Sequence, residues 1–298
     1  MSGYPGEEPA TECRGTRETR ICYAGGGIQK SRKTSGASRS KIVRADGGGG
    51  GGGAESYWVR SMRPLHVLVF LLPLVLAYEV GSLLYLNDRV AGRELSVSAY
   101  RLFVDLFRAF GLAGASLPSL ALVVVFLTWH VMVKDPWKLD GNTLAGMFLE
   151  SMAWTLPLLV MAATFVHARS SGLVGGGGVL AEIGGDGGAH MSAMKLLTIA
   201  VGAGLYEEML FRLVGIALFH FILVDLIGMR ERWGQGTAIV IVALAFAAYH
   251  HDQSAMEFAF KVMAGVYFGT VYTMRGFGIV VATHAVYDVL VLVVLKGH

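Results

Sequence analysis

Apolar residues fall along this chain in long blocks separated by short polar breaks. A bilayer's hydrocarbon core asks for about 20 apolar residues in a helix, and several blocks approach that length. They predict membrane-spanning helices at 64–86, 116–133, 143–165, 191–210, 213–228, 237–249, 255–274 and 277–295. Between the first two, Arg101-Leu102-Phe103-Val104-Asp105-Leu106-Phe107-Arg108 mixes charged and apolar positions in the manner of an amphipathic helix lying on the surface. Pro157 predicts a kink in the third span. Gly265 and Gly269 give the seventh a small face along which helices can approach closely. The expected fold is all-α, a polytopic membrane helix bundle of about eight transmembrane helices.

Composition sharpens this picture at the N-terminus. Residues 1–61 are rich in Gly, Ser and Arg, end near an unbroken glycine run at 47–53, and cannot bury enough apolar surface to fold alone. They are expected to be a disordered tail, or a mis-called start upstream of Met62, with no signal peptide opening the chain. Residues 62–298 form the expected integral membrane domain. A second Gly-rich stretch, 170–188, lacks the lysine and strand–helix context of a phosphate loop and reads as a flexible connection. The chain is 54% hydrophobic and only 16% charged, against about a quarter charged in soluble domains. Net charge is +3, with much of the basic excess in the tail, so nucleic acid is not an expected partner. Cys13 and Cys22 both lie in the tail, where they cannot staple the membrane domain. Arg60, Arg63, Lys134, Lys138 and Lys296 fall on one side of eight alternating spans, which puts both termini in the cytoplasm of a plasma (inner) membrane, although Arg230 and Arg232 fall opposite.

Against that apolar background, Glu207-Glu208-Met209-Leu210-Phe211-Arg212 stands out. One charge at a bilayer centre costs about 2.5–3.5 kcal/mol on insertion scales, so three together need a reason. Glu208 and Arg212 are four apart with the acid first, the favourable order for a helical ion pair. Glu207 points about 100° away around the helix and is left without a basic partner on its face, as suits a general base. Further along, His250 follows Phe246 by four residues, and His284 and Asp288 share a helix face four apart. Ionisable groups inside a membrane face the bundle interior or a wet cavity, where these would form a carboxylate–histidine site able to activate water. Residues 191–298 thus carry the chemistry.

Glu207–Arg212 matches EExxxR, Phe246–His250 matches FxxxH, and His284–Asp288 matches HxxxN/D, in the order found in the CPBP family of intramembrane proteases, also called CAAX prenyl protease type II or Abi proteins. The chain resembles that family over about residues 115–298. The resemblance implies peptide-bond hydrolysis in a membrane-tethered peptide or protein substrate. Carried over, Glu207 is the base, His250 helps to hold the water, His284 and Asp288 stabilise the oxyanion, and Glu208 with Arg212 shapes the site. Asp288 departs from the Asn of many members; a carboxylate donates to an oxyanion only if protonated. That leaves two chemistries open: water activated by glutamate alone, or a divalent metal such as zinc on Glu207, His250, His284 and Asp288. No His-Glu-x-x-His is present.

An ion- or proton-coupled transporter using the same cluster is the alternative, although the halves show no matched pair of broken helices. Serine and aspartyl intramembrane chemistries are disfavoured. No Gly-x-Ser sits in a span with a partner histidine, and Gly184-Gly185-Asp186 misses the Gly-x-Gly-Asp pattern. Blander readings attach to Glu79 as a packing acid, His251 as an interface residue, His220 with Asp225 as a packing pair, and Glu257 with Lys261 as a structural pair.

Overall fold

A computed structural model describes residues 12–14, 20–24, 27–31, 56–86, 97–112, 114, 116–170, 192–250 and 254–295. The chain divides into two units, Met1–Gly53 and Ala54–His298. In the first, three short strands, β1 (Glu12–Arg14), β2 (Arg20–Ala24) and β3 (Gly27–Ser31), pair antiparallel in that order, with Glu12 opposite Tyr23 and Arg20 opposite Ser31. The rest of this tail, the glycine run included, lies outside the described residues, as do residues 171–191 with nearly all of the Gly-rich stretch 170–188, His251 and Lys296. The all-α expectation holds among the described residues of the second unit.

That unit opens with α1 (Tyr57–Arg60), α2 (Pro64–Gly81), the amphipathic α3 (Ser98–Ala109), α4 (Leu117–Val133) and α5 (Gly141–Ser170). It continues through α6 (Ala193–Glu208), α7 (Ala217–His220), α8 (Glu231–Tyr249), α9 (Ala255–Arg275) and α10 (Phe277–Val289). Side-chain caps mark several starts. Asp140 accepts from Asn142 N–H at 3.2 Å and from the Thr143 hydroxyl at 2.7 Å, and the Thr143 bond holds its carboxyl below the usual carboxylate range. Ser254 and Glu257 close a capping box on α9, a structural task for Glu257 other than the Lys261 pairing read from spacing. Pro157, expected to kink the third span, does not end its helix, and Pro73 likewise lies inside α2.

Three helical runs are long and apolar enough to cross a membrane: Pro64–Leu86, Gly141–Ala168 and Ala193–Leu226. Leu117–Val133 and Phe277–Val293 are apolar but shorter. Eight separate spans are not found among the described residues. The expected fourth and fifth are one 34-residue helix, α6 running through π-helical turns at Met209–Ile216 and Phe221–Leu226 with α7 between them. Its junctions at Met209, Ala217 and Phe221 keep right-handed helical dihedrals. The charges that suggested a break do not force one. Glu208 and Arg212 satisfy each other one turn apart within the helix.

Contacts at the helix ends fix the direction of each pass. Arg60 and Arg63, beside the start of α2, meet Asp140 and Asp135 in the α4–α5 connection, at 3.5 and 4.0 Å. Arg275 at the end of α9 binds Glu150 near the start of α5, and Gly278 of α10 packs on Val67 of α2. At the opposite end Glu79 of α2 accepts from Ser116 before α4, Gly81 meets Thr198 of α6, and Phe165 of α5 meets Phe260 of α9 edge to face. Thus α2, α5, α8 and α10 run one way, and α4, α6 and α9 the other. The merger of two expected spans removes the even count on which both termini shared a side: α2 begins and α10 ends at opposite ends of the bundle.

Glycines set the closest approaches. A Cβ on Gly204 would lie 2.6 Å from the Ala285 backbone nitrogen, so α6 and α10 touch main chain to main chain. Gly265 and Gly269 bring α9 onto Ala243 and Ile239 of α8, as the small-residue pattern predicts.

Candidate active site

The Gly204–Ala285 contact lies about one turn before Glu207 and Glu208 on α6 and beside His284 on α10. It therefore delivers both acids to the histidine. Glu208 and Arg212 are wholly buried, and Glu207 and His284 nearly so. Arg212 Nη1 lies 2.9 Å from Glu208 Oε1, the predicted helical ion pair. The guanidinium is held between two rings, 4.5 Å from the Phe246 centroid and 5.1 Å from that of Phe268. Desolvating an arginine is tolerable when charge, ring faces and a carbonyl replace water; here Gly265 O stands at 3.5 Å from Nη2.

The same Glu208 oxygen also meets His284 Nδ1 at 2.7 Å, while His284 Nε2 faces Asp288 Oδ2 at 3.4 Å. A neutral imidazole carries one donor and one acceptor, so two flanking carboxylates are both satisfied only by the imidazolium. Phe268 stacks on this ring at 4.6 Å and 21°. The departure at position 288 thus has a physical counterpart. Asp288 faces the His284 ring nitrogen one turn earlier on the same helix.

His250 ends α8, where its Nδ1 lies 2.8 Å from Phe246 O. A carbonyl only accepts, so Nδ1 is the donor in this contact. Nε2 points toward Glu207 Oε2 at 3.9 Å, too far for a direct hydrogen bond and the kind of gap that a water bridges. The Glu207 carboxylate also interacts with His284 and Asp288. All six residues singled out in the sequence therefore converge from α6, α8 and α10.

The donor set does not fit a metal as arranged. Both His284 nitrogens are turned to carboxylates and His250 Nδ1 to a carbonyl, so three of the four imidazole nitrogens already face protein groups. No group of three or more His, Cys, Asp or Glu side chains poised for a metal occurs among the described residues.

Several features escaped the sequence reading. Phe268 carried no signal, since an aromatic residue in an apolar helix is the default core choice. Glu79, read as a packing acid, accepts from Ser116 at 3.0 Å and from Ser119, whose hydroxyl lies 2.5 Å from Tyr206 Oη. It thereby braces the residue next to Glu207. His220 pairs with Glu231 at 2.9 Å, which replaces the expected Asp225 contact. Glu150 and Arg275 form a second buried ion network that the sequence did not suggest.

No curated protein and no solved structure matches the chain. Residues 189–290, which hold all three motifs, match the family model described as Type II CAAX prenyl endopeptidase Rce1-like, the family that those motifs resemble.

Proposed function

We propose that the protein is an integral membrane endopeptidase that hydrolyses a peptide bond near the C-terminus of a membrane-tethered peptide or protein. The observation that carries this reading is the 3.9 Å separation of Glu207 Oε2 and His250 Nε2, a gap that one water can bridge. A water there meets both side chains. Glu207 takes a proton as the water oxygen bonds to the substrate carbonyl carbon. Negative charge then gathers on the carbonyl oxygen, in the field of the His284 imidazolium that Glu208 and Asp288 maintain. Collapse of the tetrahedral intermediate breaks the C–N bond, and Glu207 returns its proton to the leaving amine. Glu208 and Arg212 position His284, and Gly204 sets the helix spacing.

The reaction needs no metal in this account. Chelator dialysis leaves activity intact if glutamate alone activates the water; loss of activity restored by zinc would overturn that. The transporter alternative gains nothing from the family match, which names an endopeptidase. A purified sample in vesicles separates the two. Cleavage of a tethered peptide that disappears in Glu207→Gln supports hydrolysis, and solute flux without cleavage defeats it.

A further inference from the structure

Glu79 is an acid inside an apolar helix, outside the matched residues 189–290 and outside the carboxylate–histidine cluster. A charge in such a helix costs free energy unless partners use it. Here Ser116, just before α4, donates to Oε2 at 3.0 Å, and Ser119 of α4 donates to Oε1. A serine hydroxyl carries one proton. With that proton given to Glu79, the 2.5 Å contact between Ser119 Oγ and Tyr206 Oη has the tyrosine as donor. The carboxylate therefore ends a chain that begins on α6 and runs from Tyr206 to Ser119 to Glu79. Three helices, α2, α4 and α6, meet in it.

Tyr206 precedes Glu207 and is wholly buried. Its ring stands edge-on to Tyr78 of α2 at 4.9 Å and to Tyr100 of α3 at 5.1 Å. Thr198, Gly202 and Tyr206 recur every four residues on one face of α6, where Gly81 and Tyr78 of α2 lie against Thr198 and Gly202. Gly204, two residues before Tyr206 and so about 200° around the helix, meets Ala285 on α10. The helix is thus gripped from two sides just before Glu207. Close packing sets how near the helices stand; a directional hydrogen bond also sets how α6 is turned about its own axis. A turn of about 20° would carry a carboxylate about 6 Å from the axis through about 2 Å. That is about half of the 3.9 Å between Glu207 Oε2 and His250 Nε2.

We infer that Glu79 is a positioning residue for the cleavage reaction: through Ser119 and Tyr206 it holds the turn of α6 that aims Glu207 at His250. The inference rests on the endopeptidase reading above. The role needs an acceptor at position 79 more than a charge, and the amide oxygen of glutamine also accepts.

The test uses the full chain in phosphatidylcholine vesicles with a tethered peptide, and reads kcat, KM and the unfolding midpoint of each variant. Glu79→Leu lowers kcat by about 10- to 100-fold with KM unchanged, the scale on which a misplacement of about 1 Å acts. Glu79→Gln recovers most of that loss. Tyr206→Phe, which removes one hydroxyl and keeps the ring, lowers kcat as Glu79→Leu does, and it carries the same decision should Glu79→Leu not fold. The double variant is no slower than the slower single one, since both cut the same chain. A wild-type kcat in Tyr206→Phe or in Glu79→Leu, losses that multiply in the double variant, or a loss that Glu79→Gln does not recover overturns the inference while the endopeptidase reading stands. So does a loss that comes only from a smaller folded fraction, with kcat per folded molecule unchanged. No cleavage by wild type sinks both.

Discussion

Two charged networks are buried in this bundle, and they are built differently. At one end Glu150 has both oxygens occupied: Tyr57 donates to Oε2 at 2.5 Å, Trp154 to Oε1 at 3.1 Å, and Arg275 to both, with its Nη2 at 2.8 Å from Oε2. Arg275 in turn donates to Ser61 at 2.9 Å and lies 4.0 Å from the Trp58 ring centroid. At the other site Glu208 Oε2 and Arg212 Nε have no hydrogen-bond partner among the described residues, and Glu207 faces a histidine across a gap. A saturated network has nothing left to offer a ligand; it ties α1, α5 and α9 together. An unsaturated one costs folding energy and leaves polar atoms with bonding capacity to spare.

Mutation should separate the two. Glu150→Gln strands the buried Arg275, and removal of one partner from such a pair costs about 3–5 kcal/mol. Thermal or denaturant unfolding in detergent should show it, with the surviving folded fraction cleaving substrate normally. Glu207→Gln should do the reverse. Cleavage falls by about 10²- to 10⁴-fold, the share of a general base, while the unfolding midpoint holds or rises because a desolvated carboxylate is gone. Were Glu207→Gln to unfold the protein and Glu150→Gln to silence it, the comparison would be inverted. Gly204→Ala tests how the site is assembled. A methyl facing the Ala285 main chain forces α6 and α10 apart at about 1–3 kcal/mol, and cleavage should fall more than stability predicts. The smallest effect belongs to a cap remote from both networks. Ser254→Ala should cost about 1 kcal/mol of stability with kcat unchanged.

The site was more legible than the fold. EExxxR, FxxxH and HxxxD stood out because ionisable residues are rare in apolar helices, and each of their six charged or imidazole side chains reaches the cluster. The Glu208–Arg212 contact was readable from spacing alone, since an i,i+4 pair is settled within one helix. Span counting failed where the same charges looked like a boundary between 210 and 213. Hydropathy sees charge but not the partner that neutralises it. Glu150 and Arg275, 125 residues apart, left no trace for the same reason.

Local order along the chain determined the helices, their caps, the ion pair of Glu208 and Arg212, and the small-residue face of α9. Only the tertiary structure decided which carboxylates His284 would lie between, that Phe246 and Phe268 would enclose Arg212, and that Glu79 would reach Tyr206 through Ser119. The first set depends on residues within a turn of one another. The second depends on how closely separate helices can approach, and at Gly204 and Ala285 that distance is set by the absence of a single side chain.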